Sequence, residues 1–251
     1  MRLTVLGGCG AWPTARQACS GYLIEHDGFR LLIDPGYATF PRLLDHITPD
    51  GVDAVLVSHG HPDHCADLNP LLRARALSGI PASPLALHAP HGALDAVLAL
   101  DKPSMLASSY TLRPFWPGER FGIGPFTADT WHLPHFVPNA GLRLSAGGGA
   151  SLAYTGDTGP SPDISRLADH ADVFLSEATY LRTVPDPDDA PYLLTAHGAG
   201  MYATRAGAGR LLLTHLWPGT DENAALEAAK EAYNGPAAVA LSGLVWDAAA
   251  L

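Results

Sequence analysis

Apolar and polar positions change places along this chain in short bursts, and the period of each burst forecasts its element. LTVLG (3–7) is apolar and stopped by glycine, which reads as a strand. SGYLIEHDGFRLLIDPG (20–36) carries two apolar runs around His26-Asp27-Gly28, a hairpin-turn composition, and Asp34-Pro35-Gly36 closes the second run. A helix is predicted over 40–47 and a strand over VDAVLVS (52–58). Another helix is predicted over 66–78, where Leu68, Leu71, Leu72 and Arg75-Ala76 recur at helical intervals.

LALHA (85–89) reads as a strand and GALDAVLAL (92–100) as a helix. From 111 to 155 the texture is short strands and turns: TLRPFW, FTADTWHL, GLRLS and SLAYTGD. Strand and helix then alternate. ADVFLSEA (171–178), RLLLTH (210–215) and PAAVALSG (236–243) are strands; HGAGMYATRAGA (197–208) and DENAALEAAKEAY (221–233) are helices, the second with an acidic first turn. Strand-rich blocks lead each half and helices trail them. That order predicts two sheets packed face to face with helices outside, a four-layer αββα sandwich in one α/β domain over 1–251. TVPDPDDAP (183–191) reads as an exposed loop, too short to divide domains.

Composition narrows the function. Of 251 residues, 47% are hydrophobic and 16% charged, which is ample for a core, and the net charge of −10 lacks a broad basic footprint for nucleic acid. Extended nucleic-acid binding is therefore not expected, and an anionic substrate must be attracted locally. No apolar run approaches the ~18 residues of a membrane helix, and MRLTVLGGCG has no signal-peptide pattern, so a cytoplasmic location is expected. Cys9, Cys19 and Cys65 form no CxxC spacing and read as reduced, buried thiols.

Chemistry concentrates in SHGHPDHCADL (58–68), straight after an apolar strand. His59 and His61 lie at i and i+2 past a strand end, where a turn lets both rings aim at one spot. Asp63 and His64 follow where a helix begins. Imidazole nitrogens and carboxylate oxygens are the donors a hydrolytic Zn²⁺ site uses, and two adjacent donor pairs suggest two ions. Cys65 could add a thiolate, but the motif already supplies enough donors. Completion needs distant residues at strand ends: His135 in HFVPNAGLRL, Asp157 ending SLAYTGD, and His215 ending RLLLTH. His132 competes with His135. His88 and His91 sit at a predicted strand end near the same rim, where lining the pocket is the alternative to being ordinary loop residues, the favoured reading. Trp12, Trp116, Trp131 and Trp217 read as core residues rather than base-stacking ones.

These motifs together resemble the metallo-β-lactamase superfamily along essentially the whole chain. The resemblance implies that His59, His61 and His135 hold a first metal, that Asp63, His64 and His215 hold a second, and that Asp157 bridges them. It implies support from Asp34 and Ser58 behind the ligands. It favours His135 over His132, because Gly141 and Arg143 follow at the family's offsets. SEATY (176–180) and AHGAG (196–200) further resemble the ribonuclease Z-like branch. That likeness implies catalytic roles for Asp63, Glu177 and His197, with His197 protonating the leaving oxygen and Glu177 holding its ring. The chain departs from ribonuclease Z in showing no basic tRNA-clamping arm; His135 and Asp157 are only 22 positions apart. The expected protein is a binuclear zinc hydrolase, with manganese or iron as alternatives, cutting small or cyclic phosphodiesters. A lactone or thioester hydrolase and a ribonuclease Z-type endoribonuclease are the rival readings, and a homodimer is compatible with all of them.

Overall fold

The computed structural model describes residues 1–80 and 82–248, so the last three residues of the expected domain lie outside the described ones. One sheet contains β1 (Arg2–Cys9), β2 (Ala18–Cys19), β3 (Gly21–His26), β4 (Phe29–Ile33), β5 (Ala54–Leu56), β6 (Leu85–Pro90), β7 (Tyr110–Phe115) and β15 (Val245–Asp247). Its order is β15-β1-β3-β4-β5-β6-β7, with β2 paired to β1. The second sheet contains β8 (Arg120–Ile123), β9 (Phe126–Leu133), β10 (Asn139–Ala146), β11 (Ser151–Tyr154), β12 (Val173–Glu177), β13 (Leu211–Thr214) and β14 (Ala237–Val239). These run β14-β13-β12-β11-β10-β9-β8. Each sheet is antiparallel in one part and parallel in the other: β4 to β7 run parallel, as do β11 to β14.

The period-two alternation of strand side chains sorts the core into the layers. Leu31, Ile33, Ala54 and Leu56 face Leu152, Tyr154, Val173, Leu175 and Leu212 between the sheets. Their neighbours Leu32 and Val55 point the other way, onto α1 (Thr39–Leu43), α3 (Leu68–Leu77), α4 (Asp95–Leu98) and α5 (Pro103–Leu106). Ala153, Phe174, Leu211 and Leu213 likewise pack on α6 (Pro162–Leu167), α7 (Ala196–Ala206) and α8 (Glu222–Lys230). Three apolar seams between four layers make the expected αββα sandwich.

Differences are local. The hairpin turn at Asp27-Gly28 has positive φ at both residues (49° and 79°), as a two-residue turn of this kind requires. The helix expected over 40–47 is regular only as α1, and that over 92–100 shrinks to α4. Gly92, at φ 77°, turns the chain in left-handed geometry before the second can start. Helix α6 and strand β15 are additions to the expected set. Ser161 caps α6 by accepting from the Asp163 N–H, and β15 returns to pair with β1.

Candidate metal centre

Parallel strands deliver their C-terminal ends to one rim, and the chemistry-bearing residues sit there. Asp34 follows β4, His59 follows β5, Asp157 follows β11, Glu177 ends β12 and His215 follows β13. The short helix α2 (Pro62–Cys65) starts at the same rim, with Pro62 in its first turn, and carries Asp63 and His64. His135 lies in the β9–β10 turn. Asp34 and His215 both adopt left-handed φ (47° and 56°), uncommon for non-glycine residues and a local strain of the sort found at functional sites. Gly36 lets the loop after β4 pass against α2, because a Cβ there would sit 1.8 Å from the Asp63 carbonyl oxygen.

Two overlapping donor groups result. His59, His61, His135 and Asp157 form one; Asp63, His64, Asp157 and His215 form the other, and within each the donor atoms all lie within 4.8 Å of one another. His61 Nδ1 is 3.1 Å from both His59 Nε2 and His135 Nε2. His215 Nε2 is 3.1 Å from Asp63 Oδ2 and 3.2 Å from Asp157 Oδ2, while His64 Nε2 is 3.1 Å from Asp157 Oδ1. His132, by contrast, is exposed on β9 opposite Ala140, so of the two only His135 lies among the clustered donor atoms. Cys65 directs its thiol to the His61 carbonyl (3.3 Å) and belongs to neither group.

The outward-facing nitrogens reveal how the rings are set. Asp34 accepts from the Ser58 N–H (2.7 Å) and Oγ (2.6 Å), from the Tyr154 hydroxyl (2.7 Å), and from His64 Nδ1 (2.8 Å). Because Ser58 spends its hydroxyl proton on Asp34, its oxygen accepts from His59 Nδ1 at 3.0 Å. Thr179 donates to Glu177 Oε1 (2.6 Å), so its oxygen accepts from His215 Nδ1 (3.0 Å). His135 Nδ1 donates to the Tyr192 carbonyl at 3.1 Å. Four rings thus use the outer nitrogen as a donor to the fold and turn Nε2 inward, the orientation that metal-bound histidines need. Asp63 is oriented by the Ala11 N–H at 2.8 Å. His64 Nε2 and Asp157 Oδ1 are buried and, although 3.1 Å apart, have no hydrogen-bond partner, so the donor set fits a divalent cation. Tyr154, Thr179 and the Tyr192 carbonyl were absent from the sequence expectation. The hydroxyl residues beside TGD and SEA were the only signal for two of them.

Electrostatics divides the donors. Burial, reinforced for His59 by the neighbouring His64, pushes His59, His61 and His135 below the usual imidazole range, so they are neutral. Burial also disfavours the His64 and His215 cations, but Asp157 and Asp63 outweigh it. His64 is held well above its ordinary value and His215 rises to about 9. Asp157 falls well below the carboxylate range because His215 and His64 overcome its burial. Glu177 is pushed up to about 8, by burial first and by Asp157 next.

Three expectations need correction. Glu177 does not hold His197. Its carboxylate accepts from Thr158 and Leu194 N–H groups as well as Thr179, all deep in the fold. His197 lies in the first turn of α7, with its N–H on the Leu181 carbonyl and its ring 3.6 Å from Glu231. Glu177 therefore supports His215 through Thr179 instead. Three of these four tryptophans are not core residues: Trp12, Trp116 and Trp217 are 49%, 61% and 38% exposed, and of the four only Trp131 packs against an apolar seam. His88 is a strand residue, not a loop one. It lies buried in β6, stacked on Phe121, and burial lowers it to about 4.

Comparison with known proteins agrees with this geometry. The family model for the β-lactamase superfamily domain matches residues 29–216. A probable metallo-hydrolase of Bacillus subtilis, YhfI, is 31% identical over 98% of this chain and 100% of its own. Its crystal structure superposes with a TM-score of 0.87, covering 98% of this chain and 99% of the other. A ribonuclease Z of Kineococcus radiotolerans is 29% identical over 89% of this chain and 86% of its own length. The short form of human tRNase Z shares the fold, with a TM-score of 0.81 at 21% identity and coverage of 98% and 99%. The chain belongs to the β-lactamase superfamily. Within it, this is a metal-dependent hydrolase with ribonuclease Z-like relatives.

Proposed function

We propose that the protein is a binuclear metal-dependent phosphodiesterase for small or cyclic phosphodiesters. The observation that carries the reading is the shared Asp157, which lies in both donor groups while the surrounding rings, fixed through their outer nitrogens, turn Nε2 inward. The relatives named ribonuclease Z support a phosphodiester as the bond cut. His59, His61 and His135 with Asp157 would hold one ion, and Asp63, His64 and His215 with Asp157 the other. Divalent cations held there, zinc foremost and manganese or iron as alternatives, supply positive charge toward phosphoryl oxygens and acidify water at neutral pH.

The chain's own groups do the rest. Two carboxylates against five imidazoles leave a loaded centre net positive, which attracts a phosphodiester despite the acidic surface. His61 is part-buried whereas His59 and His64 are fully buried, so substrate approaches past His61. His197 delivers the proton to the departing oxygen, with Glu231 rather than Glu177 beside it. Zinc-loaded protein should hydrolyse bis(p-nitrophenyl) phosphate and a cyclic nucleotide, and Asp157→Ala should abolish both. Turnover of lactones or thioesters with none of phosphodiesters would overturn the reading. His197→Ala should lower kcat about 10²-fold or more with zinc content and melting temperature unchanged.

A further inference from the structure

A groove of about 320 Å³ opens beside the first donor group, lined by Gly60, His91, Gly92, Ala93, Val137 and Pro138, among others. Gly60 separates His59 from His61, and Val137 and Pro138 follow His135 by two and three positions, so the groove begins one residue from the centre. It lies on the side of His61, a part-buried donor. The turn at 91–94 packs directly on the donor loop: a Cβ at Gly60 would lie 2.6 Å from the Ala93 carbonyl oxygen. Apart from His91 the lining side chains are small or apolar, so the groove suits an uncharged group. His91 is itself stacked on Trp116, with ring centroids 4.3 Å apart and planes inclined by 27°. Trp116 is largely exposed.

We infer that this groove is a subsite for the planar base of a nucleotide substrate, with His91 as the stacking surface and Trp116 backing it. The inference rests on the phosphodiesterase reading and names its substrate class: phosphodiesters that carry a nucleobase. An aromatic platform fits every base through its π-face, and the lining has no charged side chain to demand a charged ligand. The phosphate stays at the metal centre while the base lies over the 91–94 turn.

The test uses two substrates and one binding measurement. A nucleoside 2′,3′-cyclic phosphate is compared with the methyl riboside cyclic phosphate, which lacks the base. His91→Ala and Trp116→Ala should raise KM for the first about tenfold, as loss of one base-stacking contact does, and leave KM for the second and both kcat values unchanged. Equal effects on both substrates, or none on either, would refute the subsite. Phe136→Ala, altering an exposed aromatic beside His135 but outside the groove lining, should not discriminate between them; if it does and the His91 variant does not, the platform is elsewhere and the inference fails. Adenosine binding to metal-free protein, read by ligand-observed NMR, should be detectable and should vanish in Ala96→Phe, which fills the groove. Should neither substrate turn over, the enzymatic reading falls while this signal still decides the subsite: binding lost in the filled variant upholds it, and no binding to the native chain refutes it.

Discussion

Asp34 shows how much of the centre is decided one residue behind the donors. It accepts four hydrogen bonds, and His64 Nδ1 is among the donors. Asp34→Asn replaces one oxygen by a donor, so at least one of these bonds becomes a clash. Zinc affinity in a chelator competition should fall ~10–100-fold, the range for such supporting residues. The protonation pattern gives a second expectation. In chelator-treated protein the cationic form of His215 is favoured in the fold, its value raised from 6.5 to about 9. A folded-state value above the unfolded one stabilises fully below pH 6.5, and that contribution is lost as pH rises through about 9. The metal-free melting temperature should therefore fall between those limits, and zinc binding there should release protons, which calorimetry in buffers of different ionisation enthalpy measures. A flat profile would contradict the placement of His215 between Asp63 and Asp157. Individual donors were legible because HxHxDH crowds ligand types where packing cannot account for them. Their supports were not: Tyr154 and Thr179 look like ordinary strand-end residues until two sheets bring them to Asp34 and His215.

At the scale of elements, most donors are placed by where a strand stops and two, Asp63 and His64, by helix α2. His132 and His135 are three positions apart, yet one is exposed on β9 and the other sits in the turn after it. His135→Ala should abolish turnover and lower metal stoichiometry; His132→Ala should do neither. The loop after β4 supplies another expectation. Gly36→Ala puts a methyl against the Asp63 carbonyl, and overpacking of this kind costs ~1–3 kcal/mol, visible as a lower melting temperature together with weaker zinc retention. Strands with clean alternation were readable from the sequence, as were the long helices α3, α7 and α8. Short α4 was not, because a left-handed glycine cuts it. The Glu177–His197 pairing failed for a similar reason. Spacing puts both residues near one rim, but which way the first turn of α7 aims its ring depends on backbone bonds at Leu181 and Leu194.

For the whole molecule, charge and topology point the same way. The net charge is −10, and the β9–β10 and β10–β11 connections are short turns with no inserted arm among the described residues. No described helix is long and apolar enough to cross a membrane. A tRNA precursor should therefore stay uncut under conditions in which bis(p-nitrophenyl) phosphate is hydrolysed, even though the fold matches human tRNase Z along 98% of the chain. Efficient 3′ cleavage of such a precursor would show that recognition does not require the arm. The sandwich itself was readable from the order of strand and helix blocks. The closing strand β15 was not, since three residues are too few to show a period.

The buried tyrosines make one final point about this architecture. Tyr154 of one sheet donates to Asp34 of the other, and Tyr22 exchanges a 2.6 Å hydrogen bond with Thr214 in the opposite direction. Their rings meet edge to face at 5.1 Å beneath the centre. Any slippage of one slab over the other severs these stitches first. On gentle heating, ions should escape and catalysis should cease while far-ultraviolet circular dichroism still reads native, and cooling with zinc present should restore both.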